Sequence, residues 1–127
     1  MAKYKITMNP ETILSAKTVY NWRYELKMEL LEKRGYKSDW SGKPISDEVH
    51  MHEGLVTRGM CPKGLWWHML IFAEPNCFLL LPEEHAPVCL PNREWCIQKS
   101  YEYYGRDVVR EWFFSLPWKG KPPFQLL

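Results

Sequence analysis

The sequence has no apolar run long enough to cross a membrane. Its longest uncharged stretches, residues 64–73 and 76–82, fall well short of the ~18 residues a span requires. The opening Met-Ala-Lys-Tyr-Lys-Ile leads into no apolar segment of signal-peptide length, so the expectation is a soluble, cytoplasmic protein with no membrane partner. Net charge is also scarce: 17 basic against 15 acidic residues leave +2, with a pI near 8.3. A dedicated electrostatic binder of nucleic acid has a strongly basic face or a domain pI above ~9, so charge alone does not name such a partner. Cysteine is sparse and unpatterned. Cys61, Cys77, Cys89 and Cys96 are separated by 16, 12 and 7 positions, which fits neither a disulfide framework nor a zinc knuckle. Reduced thiols are expected, with Cys77 and Cys89, set among Leu, Phe and Val, acting as small buried hydrophobes. Internal repeats and low-complexity tracts are absent.

What the chain does have is apolar bulk. Its 127 residues suit one domain and exclude a two-domain enzyme. A 46% hydrophobic content with 7 Trp, 7 Tyr and 5 Phe excludes wholesale disorder. Asn9-Pro10-Glu11 reads as a helix start. Apolar or aromatic residues then recur at Ile13, Ala16, Tyr20, Tyr24, Met28 and Leu31, one face of a helix of about six turns closed by Lys33-Arg34-Gly35. Arg23, Lys27, Lys33 and Arg34 on it read as a solvated face with carboxylate partners such as Glu29, in preference to a nucleic-acid stripe.

Residues 36–47 carry turn formers and read as a knuckle-like loop. His50-Met51-His52-Glu53 can be extended, 65–73 is apolar with ambiguous period, and 76–81 is a buried strand candidate stopped by Pro82. Asn92 can cap a helix running to Gly105; a second helix covers 107–114 and ends at Pro117, and the tail beyond reads as an extended arm.

Three features line up in order: the His50–Glu53 strand, Asn76 opening an apolar run, and His85 nine residues later. Phosphodiester hydrolysis needs such parts: a neutral imidazole to deprotonate water, a divalent ion to stabilise charge on the leaving oxygen, and an amide to fix the imidazole's tautomer. With the Met-His-Glu…Arg-Gly phrase at 51–59 and the tail Tyr104-Gly105…Trp112…Leu116-Pro117, residues 35–117 resemble the HNH endonuclease family, particularly its short phage-type members. The resemblance implies an α+β fold in one domain: a small ββα-metal, HNH-like core (36–91) with a long N-terminal helix (1–35), two C-terminal helices (92–117) and an extended tail (118–127). It implies a metal-dependent DNA endonuclease in phage or host cytoplasm, with DNA as partner.

The departures from the family pattern are equally informative. The four positions where zinc-stapled members place cysteine hold Ser38, Ser41, Leu81 and Glu84, and a hydroxyl does not replace a thiolate on Zn²⁺, so no structural zinc is expected and packing, with Trp40, Trp66 and Trp67, must compensate. Members carry a metal ligand immediately before the general-base histidine, where this chain has Met51, a poor ligand for Mg²⁺ or Mn²⁺. Either His52 is the base and the ligand is missing, or His52 is a ligand and Glu53 takes the base position. The roles the resemblance implies are His52 as general base, Asn76 as the amide orienting it, His85 as metal ligand, Glu53 as second ligand or substitute base, and Arg58 on phosphate. His50 shares a strand face with His52 and can reach the ion, although an exposed loop histidine is the plainer reading. The cofactor would be Mg²⁺ or Mn²⁺. A rival reading from another class is a catalytically decayed HNH-fold binding protein, such as a phage-encoded inhibitor whose partner is a host nuclease or defence complex. His68, the Glu83-Glu84 pair and Tyr101, Tyr103 and Tyr104 read as surface, turn and boundary residues respectively.

Overall fold

The computed structural model describes residues 15–62 and 65–127; the helix start read at Asn9 and Pro10, the apolar position Ile13 and the glycine Gly64 lie outside them. Among the described residues the fold is mixed α+β, with five α-helices and one two-stranded antiparallel sheet. No helix among them is long and apolar enough to cross a membrane.

Helix α1 (Ala16–Lys33) is capped by Ser15, whose extended backbone lets its hydroxyl accept from the Thr18 amide at 3.1 Å. From Ala16 it runs 18 residues, about five turns. Its C-terminus closes as read. Gly35 adopts φ +73, which gives its amide to Glu32 and the Tyr36 amide to Leu31, so that two orphan carbonyls are satisfied. Leu26, Leu30 and Leu31 are fully buried, each contributing about 1.5–3 kcal/mol.

The strands β1 (His50–Glu53) and β2 (Cys77–Leu80) pair His50 with Leu80, Met51 with Leu79, His52 with Phe78 and Glu53 with Cys77. Between them the ambiguous apolar stretch becomes α2 (Leu65–Ile71). Its 7 residues are too few to tell strand from helix by period alone, and tertiary burial of Met69, Leu70 and Ile71 decides the outcome. The one-turn helix α3 (Pro82–His85) follows β2 directly and packs on both strands. Helix α4 (Arg93–Tyr104) starts at Asn92, whose side chain accepts from the Trp95 amide at 2.8 Å, and ends at Gly105 with φ +88; α5 (Arg106–Ser115) continues from it.

The tail is no free arm. Trp118 donates its indole N–H to the Phe113 carbonyl at 2.8 Å, Phe124 packs on Phe113 at 5.0 Å between ring centres, and Leu126 is buried. Apolar side chains at 118, 124 and 126 outweigh the extended-arm reading suggested by Gly120 and the prolines. Gly54, just after β1, is required by close packing: a Cβ there would stand 2.5 Å from Cys96 Sγ and 2.7 Å from the Phe78 ring.

Candidate metal centre

Strand alternation decides which side chains share a face. His50 and His52 lie on the face covered by α3, while Met51 is buried on the opposite side and Glu53 shares that side. Because Pro82 starts α3 immediately after β2, His85 ends its single turn directly above β1. The His52 and His85 ring centres are 5.0 Å apart, and His50 Nδ1 is 3.2 Å from His85 Nδ1. The loop after α3 then brings in Cys89, whose Sγ lies 3.5 Å from His52 Nε2.

His52, His85 and Cys89 each offer a donor atom within 4.8 Å of the other two, a group that can hold a metal ion. His50 is not one of the three; it touches His85. Burial, reinforced by the nearby His85, pulls the His52 imidazole down to about 4. Burial likewise lowers His85, with the charges of His50 and Arg23 acting the same way. Both rings are thus neutral near pH 7, the form that ligates. The Cys89 thiol is pushed up by burial, and an ion would deprotonate it on binding. Cys89 went unseen in the sequence because apolar neighbours made it read as a core residue. In the fold it is half-buried and His52-facing. Its four-residue distance from His85 was the available signal.

Asn76 is placed elsewhere. It is fully buried, its Oδ1 accepts from the Leu55 and Val56 amides at 2.9 and 2.8 Å, and its Nδ2 donates to the Val56 and Ile71 carbonyls at 2.8 and 2.9 Å. Two donors and two lone pairs are all an amide has, so nothing is left to orient an imidazole. Its work is to clamp the loop leaving β1 against the end of α2.

Glu53 also departs from its expected place. Sharing the Met51 side of the sheet, it faces Arg58 at 3.8 Å and does not join the histidines. Burial raises its carboxyl above the ordinary range, although the charges of Arg23 and Arg58 pull the other way. Arg58 itself remains 60% exposed along its side chain, free to meet solvent or an anion. His68 is half-buried beside Phe72.

The positions of the absent knuckle do converge. Ser38 donates to Glu84 Oε1 at 2.5 Å, the same oxygen accepts from the Leu81 amide at 2.9 Å, and Ser38 Oγ accepts from the Trp40 and Ser41 amides at 3.1 and 3.2 Å. Burial acts to raise the Glu84 carboxyl, but hydrogen bonds from Ser38, Ser41 and the Leu81 amide, with the charge of Lys43, hold it below the usual range. A hydrogen-bonded clasp thus joins the 36–47 loop to α3.

A second polar network lies behind it. Arg34, read in the sequence as part of a solvated face, is buried: its guanidinium pairs with Asp39 at 2.7 Å and donates to the Cys77 carbonyl at 2.8 Å and the Tyr104 hydroxyl at 2.7 Å. Asp39 in turn accepts from the Leu79 amide at 2.6 Å and from Tyr103 at 2.5 Å. Lys33 does find a carboxylate, the buried Glu74, at 2.9 Å.

Comparison with known proteins is negative throughout. No family model, curated protein or solved structure matches this chain.

Proposed function

We propose that the chain is a metal-dependent endonuclease of the HNH type that hydrolyses DNA phosphodiester bonds. One observation carries this reading: a strand, a paired strand and a short helix, in that chain order, bring His52 and His85 to 5.0 Å with Cys89 beside them. The donor set refines the ion. Two imidazoles and a thiol suit a borderline ion such as Zn²⁺, Co²⁺ or Ni²⁺, whereas Mg²⁺ and Mn²⁺ favour oxygen ligands, of which the described residues bring none to this group. For tetrahedral Zn²⁺ with bonds of ~2.0–2.3 Å, neighbouring ligand atoms stand about 3.5 Å apart, as Cys89 Sγ and His52 Nε2 do. An ion held there by three side chains keeps a position open and would polarise a phosphoryl oxygen and acidify water.

The chain's own residues divide the remaining work. His52, held near 4, is too weak a base to be matched to neutral pH and serves as a ligand. His50 occupies Nδ1 of His85, which leaves Nε2 for the ion. Arg58, exposed and tethered loosely to Glu53, offers its cation to a phosphate.

The rival, a decayed HNH-fold inhibitor of a host nuclease or defence complex, draws support from two placements: among the described residues no carboxylate joins the donor group, and the Asn76 amide is spent on backbone. The deciding assay incubates supercoiled plasmid and, in parallel, a single-stranded DNA circle with the protein and each of Zn²⁺, Co²⁺, Ni²⁺, Mn²⁺ and Mg²⁺. Nicking above the His85→Ala control supports the enzyme. Tight metal binding without nicking by any ion rejects it and favours the inhibitor.

A further inference from the structure

We infer that the outer flank of α1 is a binding platform for a single-stranded polynucleotide. At about 100° per residue, Lys17, Tyr20, Tyr24 and Lys27 fall within an arc of about 80°, with Arg23 at its edge. Glu25, Glu29 and Glu32 gather roughly 150° from Tyr20 on the same wheel. Lys17, Arg23 and Lys27 are therefore separated from the carboxylates, Lys33 alone lying on the carboxylate side where it pairs with Glu74, and the cationic side also carries exposed rings. Tyr20 is 65% exposed and Tyr24 45%, so both rings are open to solvent. Their rings lie nearly parallel, 17° between planes and 6.5 Å between centres, so both present a π-face in the same orientation.

Two of the cations are preorganised, Lys27 against one of those rings and Arg23 against the buried Phe72. Lys27 Nζ sits 5.6 Å from the Tyr24 ring centre while donating to the Asp47 carbonyl at 2.7 Å. Arg23 lies 5.6 Å from the Phe72 ring centre and donates to the Met51 carbonyl at 3.1 Å. Beside the platform, a groove of about 530 Å³ opens between α1 and α2, lined by Tyr20, Arg23, Arg58, His68 and Phe72 among others. Alternating cations and exposed rings are what an unpaired strand needs, because its phosphates meet the charges while each base offers a π-face for stacking. A duplex keeps its bases stacked inside and could use only the charges. The Arg23 bond to Met51 ties the platform to β1, the strand that carries His52. In that sense the inference deepens the proposed nuclease function by naming how substrate is held.

Binding is measured with the full chain in EDTA, where no metal-dependent cleavage occurs, so failure of binding and failure of catalysis are separate results. Fluorescein-labelled oligothymidylate and oligouridylate are titrated in parallel with a duplex of equal length, with anisotropy as the readout. Wild-type protein should bind one or both single strands more tightly than the duplex. Tyr20→Ala/Tyr24→Ala should weaken that binding by about ten-fold or more, and Tyr20→Phe/Tyr24→Phe should keep it. The affinity should fall with salt at a log–log slope of about −2 to −3, from three or four phosphates neutralised. Both tyrosines are exposed, so circular dichroism should show the variants folded. No binding of either single strand, equal or tighter binding of the duplex, or an alanine double variant as tight as wild type would each overturn the inference.

Discussion

His50 and His85 meet through their Nδ1 atoms at 3.2 Å with their rings nearly perpendicular, 84° between planes. Only one of the two can carry the shared proton. A ligating histidine usually donates its other ring N–H to a partner that fixes its tautomer, and loss of that partner costs 10–100-fold in metal affinity. His50→Ala should therefore weaken Co²⁺ binding by that factor. His85→Ala should abolish it, and Cys89→Ser should retain some affinity but remove the thiolate-to-cobalt absorption. Titration of the metal-free protein with Co²⁺, followed by absorbance, reads all three. An unchanged affinity in His50→Ala would place His50 outside the site's support.

The clasp between Ser38 and Glu84 makes a stability prediction. Ser38→Ala removes a buried donor to a carboxylate and an acceptor for the Trp40 and Ser41 amides. Leaving a charged group short of its partner should cost about 2–3 kcal/mol in urea unfolding. Glu84→Gln, which keeps an acceptor for Ser38 and the Leu81 amide, should cost less. Metal affinity in Ser38→Ala should fall as well, because α3 carries His85 and the clasp holds its first turn.

Local rules made much of this molecule legible. Gly35, Asn92 and Pro82 punctuate the chain chemically, and the elements they bound are found where the residues put them. The alternation His50, Met51, His52 announced which two histidines share a face. The misreadings have a common physical origin: a side chain's partner is set by the fold and not by its neighbours in sequence. Cys89 sits among apolar residues yet faces His52, Arg34 follows a charged helix turn yet is sealed under Tyr103 and Tyr104, and Asn76 resembles an orienting amide yet spends every hydrogen bond on Leu55, Val56 and Ile71. Ser38 and Glu84 lie 46 positions apart yet meet in one hydrogen-bonded cluster, a pairing that their neighbours in sequence do not announce.

Asn76 and Gly54 test the loop that leaves β1. Asn76→Ala would strand two buried amides and two buried carbonyls. With each unsatisfied group costing roughly 1–3 kcal/mol, a loss of 4 kcal/mol or more is expected. Gly54→Ala would drive a Cβ into Cys96 and the Phe78 ring, and overpacking of that kind costs about 1–3 kcal/mol. Denaturant unfolding measures both. An Asn76→Ala protein with wild-type stability but lost activity would restore a catalytic role to that amide.

The Arg34–Asp39–Tyr104 network predicts an alkaline limit to stability. Burial pushes the Tyr104 hydroxyl up to about 12, against the opposing charge and hydrogen bond of Arg34. Burial and the bond to Asp39 raise Tyr103 as well. In the unfolded chain both titrate near ~10. The folded state thus holds these protons more tightly, so their contribution is complete below about pH 10 and is lost as pH rises through 12. For Tyr104 the loss is up to roughly 2–3 kcal/mol. Tyr104→Phe should flatten this decline, yet lower stability at neutral pH by about 1–3 kcal/mol, since it removes the acceptor that Arg34 Nη2 uses at 2.7 Å. Arg34→Met is harsher: it leaves Asp39 buried without its cation, a change that costs about 3–5 kcal/mol. Urea melts of the three proteins from pH 7 to about 11, where tyrosines begin to ionise, separate the effects. A Tyr104→Phe curve parallel to wild type at every pH would show that this hydroxyl does not govern the alkaline limit.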